Sequence, residues 1–407
     1  MTTDVLDETF RREWPKILAT LIRYTGSPEL AEDAVQEAFL RASASRDREL
    51  LINPAAWITT VAKRIAMDAV RRDATLRKRL PMLAEEPQEP QPAAVGGDDR
   101  LELLFLACSP SFTAETRLAL ALRFVCGVPT ADIADAMLAA HTALSARITR
   151  AKRQIEREGI RFVDLETVAR TERLDDVLST IHLLYTVGHT AVDGATLDNR
   201  PVAATAIELA RALVRVAPDD LEAAGLLALL LLTDARSPSR TDRTGEVVTL
   251  ELVDRTAWNH ALVREGLELA TRALPGAGRF ALEAGISGMH SDAPTWEATD
   301  WESIRVLYDR LVERWPSPSA QLARVVAGSY RRGGLATALA ELDALRPSLS
   351  GASARQAMAV RADLLRRLGR TAEARAAYVR ARSQERNAPV RNYFGRRIDE
   401  LDPPTSK

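Results

Sequence analysis

SPELAEDAVQEAFLRA, residues 27–42, and NPAAWITTVAKRIAMDAVRR, residues 53–72, are two helices written in succession. Ser27 is a helix cap, Pro28 suits the first helical position, and Glu29 complements the positive helix end. Ala31, Ala34, Val35, Ala38 and Phe39 then recur at the i, i+3, i+4, i+7, i+8 spacing of a face turned to a core. Glu32, Asp33, Gln36 and Glu37 fall opposite and read as a solvated acidic face. Asn53-Pro54 opens the second helix, with Ile58, Val61, Ile65 and Ala69 as its expected apolar stripe. Thr60, Lys63, Arg64, Met67 and Arg71 take the far side. From 61 to 79 there are seven Lys or Arg against two acids, a density suited to contacting phosphates. Trp57, at the start of this helix, is either a core residue or a platform for an unpaired base.

Outward from this pair, a further helix is expected at about 5–24, and the basic helix runs on to 79. Leu80–Asp99, LPMLAEEPQEPQPAAVGGDD, holds four prolines, two glycines and several acids without a hydrophobic period. It reads as an extended linker. A second helical group follows. Thr113 caps a helix with Leu118, Leu122 and Val125 inward, stopped by Gly127 and Pro129. ADIADAM (131–137), a short turn and TALSARITRAKRQIERE (142–158) then give a helix-turn-helix pattern, with Leu138 at the site where its turn usually has glycine. Leu144, Ile148, Ala151 and Ile155 face inward, and Arg147, Arg150, Gln154 and Arg157 outward, flanked by Ser145, Lys152 and Arg153. Such side chains reach base edges and phosphates from a recognition helix. A generic basic surface helix carries the same pattern.

The 407 residues exceed one ordinary core and predict two or three domains. The chain is rich in helix formers and only 5% aromatic, with a net charge of −1, so any nucleic-acid binding must come from local patches. Cys108 and Cys126 lie in apolar runs with neither disulfide nor zinc spacing, and His182, His189, His260 and His290 lack ligand spacing. No catalytic constellation is present, and no cofactor or metal is expected. The N-terminal residues carry no apolar run, and the longest such run, Ala223–Leu232, is too short for a bilayer, so a cytoplasmic protein without membrane contact is expected.

From about 165 onward the sequence is helical, with breaks expected at 190–200, 235–256 and 286–300. EVVTLEL (246–252) reads as an extended loop or part of a short hairpin. Asp198-Asn199-Arg200 is a helix cap or a charged contact to the preceding modules. LLRRLGRTAEARAAYVRARSQERN (364–387) places Gly369, Ala374, Tyr378 and Ala381 at tetratricopeptide-like sites; Gly333, Ala338, Leu342 and Leu345 repeat the spacing 36 residues earlier. Stacked helix pairs would form an α-solenoid-like domain able to grasp a peptide or protein partner.

Taken together, the 27–42 and 53–72 helices and the helix-turn-helix at 130–157 resemble regions 2 and 4 of the extracytoplasmic-function sigma factors of bacterial RNA polymerase. DDRLELLFLACSP (98–110), IADAML, ARITRAKRQIEREGI and the long extension resemble more narrowly the subfamily with a C-terminal tetratricopeptide-like domain. The resemblance implies an all-α protein that is not an enzyme. Region 2 would occupy residues 1–79, the linker 80–99, region 4 residues 100–160 and the extension 161–402. Asp33, Gln36 and Glu37 would bind core RNA polymerase at its β′ clamp helices, with the β flap as a further contact. Lys63, Arg64, Arg71 and Arg72, with Trp57, would hold the −10 promoter element, the loop at 43–53 gripping a flipped base. Ser145, Arg147, Arg150, Lys152 and Arg153 would engage the −35 element, and the acidic linker would pass near the RNA exit path. The subfamily has Cys-His-Pro where this chain has Cys108-Ser109-Pro110, and an Asn-Glu-Gly-Tyr-like segment where it reads Tyr185-Thr-Val-Gly-His-Thr190. A helix-turn-helix regulator with a ligand- or peptide-sensing solenoid is the alternative, but such a regulator has no use for the 28–79 pair.

Overall fold

A computed structural model describes residues 3–44, 53–79, 99–137, 139–160, 173–189 and 199–402. The expected base-gripping loop, most of the 80–99 linker, Leu138, Asp198 and Thr190 lie outside them. The described residues form eighteen α-helices and no strand, so the chain is all-α. Among those residues no helix is long and apolar enough to cross a membrane. The chain divides into two compact units, Met1–Leu184 with Arg215–Ala217, and Tyr185–Val214 with Pro218–Lys407.

In the first unit α1 (Thr3–Thr25), α2 (Pro28–Ala44) and α3 (Pro54–Arg79) pack on one another. Ser27 Oγ accepts from Leu30 N at 3.1 Å, and Asn53 Oδ1 from Ala56 N at 3.1 Å, so both predicted caps close their helices. The expected inward face of α2 is buried throughout, from Ala31 to Phe39. The stripe of α3 is rotated from its expected place. Ile58, Ala62 and Ala66 are fully buried, whereas Val61, Ile65 and Ala69 are half-buried. Small residues four apart let α3 lie close to its neighbours, and the larger side chains flank the contact.

α4 (Asp99–Ala107) packs against α1 and α5 (Ala114–Phe124), and every residue from Leu101 to Ala107 is buried. Glu102 within this run pairs with Arg23 of α1, which also meets Asp99 at 3.0 Å. α6 (Thr130–Ala136) and α7 (His141–Glu158) occupy the stretch expected to hold a helix-turn-helix, with Leu144, Ile148, Ala151 and Ile155 buried as expected. Gly159 ends α7 at φ 59°, a left-handed cap that glycine adopts without strain. The core of this module reaches beyond residue 160. In α8 (Leu174–His189), Thr180 lies 3.3 Å from the buried Cys108 sulfur and Asp176 pairs with Arg117.

The second unit is helical and repeat-like. α10 (Leu221–Asp234) carries the longest apolar run and is buried nearly all round, beneath α11 (His260–Ala273) and α12 (Arg279–Asp292). Gly225 permits this: a Cβ there would stand 2.6 Å from Ala281 N. Glu222 accepts from Phe280 N at 2.9 Å and Ala281 N at 3.0 Å, capping α12 from a neighbouring helix. α12 runs to Asp292, so the expected break at 286–300 begins later, because Ile286, Ser287 and Gly288 pack inward. The EVVTLEL region is loop, pinned by one antiparallel bridge between Thr241 and Val247. α9 (Arg200–Val216) starts with Arg200 paired to Asp234 at 2.8 Å, which makes Arg200 a contact inside the extension. Consecutive packing continues through α13 (Trp301–Arg314), α14 (Pro318–Ser329), α15 (Gly334–Leu345), α16 (Gly351–Arg367), α17 (Thr371–Gln384) and α18 (Ala388–Asp399). Gly333 and Gly369, at φ 71° and 73°, take equivalent places before α15 and α17. Ala338 and Leu342 are buried like Ala374, Tyr378 and Ala381, while Leu345 is half-buried.

Candidate nucleic-acid interface

On α3 the first turn is held by the Asn53 cap, and the buried face fixes the rotation of the helix. That rotation places Lys63, Arg64, Arg71 and Arg72 on the exposed side, with Thr60 in line and Trp57 half-buried near the helix start. Arg72 Nε donates to Asp68 O at 3.2 Å, which curls its side chain back along the helix.

On α2 Asp33 is exposed, and Gln36 and Glu37 are half-buried. Leu40, one turn beyond them, is 64% exposed, which gives this polar stripe an apolar end. Glu37 pairs with Arg41 at 2.7 Å. Partial burial raises the Asp33 carboxyl above its ordinary range; Lys152 opposes the rise, and Glu32 and Glu29 add to it. Glu32 itself does not share the solvated face expected for it. Its side chain is 3% exposed and is paired with Arg123 and Lys152.

On α7 Arg150, Arg153 and Arg157 are exposed, and Ser145, Arg147 and Gln154 are half-buried. Gln154 donates to Glu158 at 2.9 Å. Lys152 departs from the expected set: its side chain is 14% exposed and its Nζ is 2.5 Å from Glu32 Oε2. In this arrangement Lys152 faces α2, because it follows the buried Ala151 by one residue and so lies on the flank of the inward face.

Among the described residues no group of His, Cys, Asp and Glu is arranged to hold a metal. Burial pushes both cysteine thiols up to about 12.

Residues 9–75 match the family sigma-70 region 2, and residues 173–274 match a family of unknown function, DUF6596. The chain is 36% identical to the uncharacterized protein R00370 of Rhizobium meliloti (strain 1021) over 95% of its own length and 93% of that protein. The chain belongs to the family of this rhizobial protein. A shorter similarity, 32% identity over 106 residues, joins it to the ferric citrate uptake sigma factor FecI of Escherichia coli (strain K12). That match spans 26% of this chain and 61% of FecI. The first module of this family member is thus of the sigma-70 type. Among solved structures, the human IFIT1 dimer with PPP-AAAA aligns at a TM-score of 0.33 and 15% identity, over 75% of this chain and 86% of that one, too distant to carry an argument.

Proposed function

We propose that this family member is a sigma factor: it binds core RNA polymerase, recognises the −35 and −10 promoter elements, and assists strand separation without covalent catalysis. The observation that carries the reading is the region 2 pair, α2 and α3, with four exposed cations on α3 and the polar stripe of α2 on a separate helix. In this reading Asp33, Gln36 and Glu37 meet the polymerase clamp helices, joined by the exposed Leu40. Acidic groups on such a contact speed association with a basic partner. Lys63, Arg64, Arg71 and Arg72 follow the −10 backbone, and Trp57 stacks on an unpaired base. Arg147, Arg150 and Arg153, with Ser145, read or anchor the −35 duplex. The helical repeat-like extension regulates activity through a protein or peptide partner.

Run-off transcription with core polymerase tests this. Full-length protein is expected to give a promoter-dependent transcript, and none under conditions where core is active counts against a sigma factor. A comparison lacking the extension is best cut after His189, because Thr180 and Asp176 of α8 contact Cys108 and Arg117 in the second module. A shortened chain that transcribes more than the whole marks the extension as inhibitory, and one that transcribes less marks it as required. Footprinting resolves the α7 assignment: Arg147→Ala with Arg150→Ala is expected to lose −35 protection while −10 protection persists. Unchanged −35 protection would remove these residues from the interface.

A further inference from the structure

Helices α14, α16, α17 and α18 do not close completely on one another. Between them lies a cavity of about 200 Å³ walled by Val326, Ala359, Val360, Leu364, Tyr378 and Phe394. Leu364, Tyr378 and Phe394 belong to the buried core of these helices, and Ala359 and Val360 pack on it half-buried. The cavity therefore opens from the core toward the surface. Its ring walls are close: the Tyr378 and Phe394 centres are 6.1 Å apart, and Tyr393 stands 5.8 Å from Phe394.

Ser329, Asp363, Arg367 and Tyr393 also line it, and each is engaged by a neighbour. Arg367 donates to Ser329 Oγ at 2.9 Å and to Ser329 O at 3.0 Å, and lies 3.9 Å from the centre of the Tyr330 ring. Asp363 accepts from Arg366 at 2.7 Å, and the Tyr393 hydroxyl from Arg397 at 3.2 Å. Tyr378 differs. It is 1% exposed, and its hydroxyl makes no hydrogen bond of ordinary geometry. Burial pushes this hydroxyl up; Arg366 is near enough to oppose the rise, but its own bonds run to Asp363. At neutral pH Tyr378 thus offers a proton with no acceptor to take it.

Two costs meet here. An apolar void forfeits the contacts of its lining, and a buried donor left unpaired loses the bond it would make in water. A molecule with an apolar body and one acceptor atom removes both. A charged molecule would be desolvated without compensation, because Asp363 and Arg367 are already committed to their neighbours. Among the described lining residues there is likewise no row of unpaired groups to hold a peptide backbone. An apolar cavity of about 150 Å³ takes benzene, so this one accommodates a ring with a short substituent.

We propose that this cavity is a binding site for a small, uncharged, mainly apolar carbonyl compound whose oxygen accepts from the Tyr378 hydroxyl. Its walls come from successive helix pairs, so the ligand ties α14, α16 and α18 together. The extension thereby has a small-molecule input separate from the protein or peptide partner proposed above, and the site does not depend on the sigma-factor reading.

Ligand-observed NMR titration of the full-length protein with acetophenone, ethylbenzene and benzoate tests this. The three share a ring and differ in acceptor and charge. Acetophenone is expected to bind, ethylbenzene roughly three- to tenfold more weakly, and benzoate more weakly than either. Tyr378→Phe should lower acetophenone to the affinity of ethylbenzene and leave ethylbenzene unchanged. Ala359→Trp, at a half-buried position, should fill the space and abolish binding of both, with Val360→Trp in parallel should the first not fold. Circular dichroism verifies the helices of each variant. No binding of either neutral probe up to its solubility overturns the site, as does undiminished binding to a folded tryptophan variant. Equal affinities for acetophenone and ethylbenzene, an acetophenone preference that survives Tyr378→Phe, or tightest binding of benzoate overturns the ligand class. Self-association in sedimentation that acetophenone disperses gives the cavity to a second copy of the chain and overturns the small-molecule reading.

Discussion

Replacing Lys63, Arg64, Arg71 and Arg72 together by alanine is expected to abolish promoter-dependent transcripts while leaving the fold intact. All four are exposed on α3, and surface changes of this kind shift stability by no more than about 0.5 kcal/mol each. The contribution to DNA binding proposed for them is of another order. Each phosphate neutralised adds about 0.9 to the slope of log affinity against log salt on duplex DNA, so four lost contacts lower that slope by up to about 3.6. The comparison is polymerase charged with either protein, titrated with promoter DNA across salt concentrations. Circular dichroism verifies the helices. An unchanged salt slope would show that this face does not meet the backbone, whatever happens to the transcript.

Phe105→Ala is expected to have the largest effect on stability. Phe105 is fully buried in α4, where Leu101, Leu103, Leu104 and Leu106 are also fully buried and no side of the helix is free to collapse into the vacated space. Truncations of this type cost about 3–5 kcal/mol, against a total that for most domains is about 5–15 kcal/mol. Denaturant unfolding should show a lower midpoint for the first unit with little change in slope. A midpoint no lower than that of the exposed control Arg153→Ala would mean that α4 is less enclosed than its burial indicates.

The helices of the first unit were legible because their apolar spacing is regular and their caps are explicit. Ala31 to Phe39 on α2 and Leu144 to Ile155 on α7 are buried where the sequence places them. Glu32 was misplaced for a physical reason. Its position, three before Val35 and seven before Phe39, is that of a core residue, but a carboxylate in isolation belongs in water. Only the arrival of Arg123 and Lys152, 91 and 120 residues later in the chain, makes its burial tolerable. The spacing holds a signal, but the charged partners are not local. The α3 stripe lies one helical position from its expected place, because the close approach of the helices favours the small Ala62 and Ala66 over the larger Val61 and Ile65. The end of the second module was likewise hidden, since Thr180 and Asp176 join it by tertiary contacts that no local pattern records. The exposure of Leu40 has no signature in the spacing, because its neighbours on that side are polar.

The turns at Gly333 and Gly369 have a consequence for how this chain can change in length. Both need only a positive φ, and both leave open space where a Cβ would be, so neither is tied to a particular neighbour. A segment that begins and ends at such turns can be duplicated or lost in steps of about 36 residues while each helix keeps a neighbour of the same kind. The extension is therefore adjustable in whole increments, and its length can grow by copying instead of by redesign.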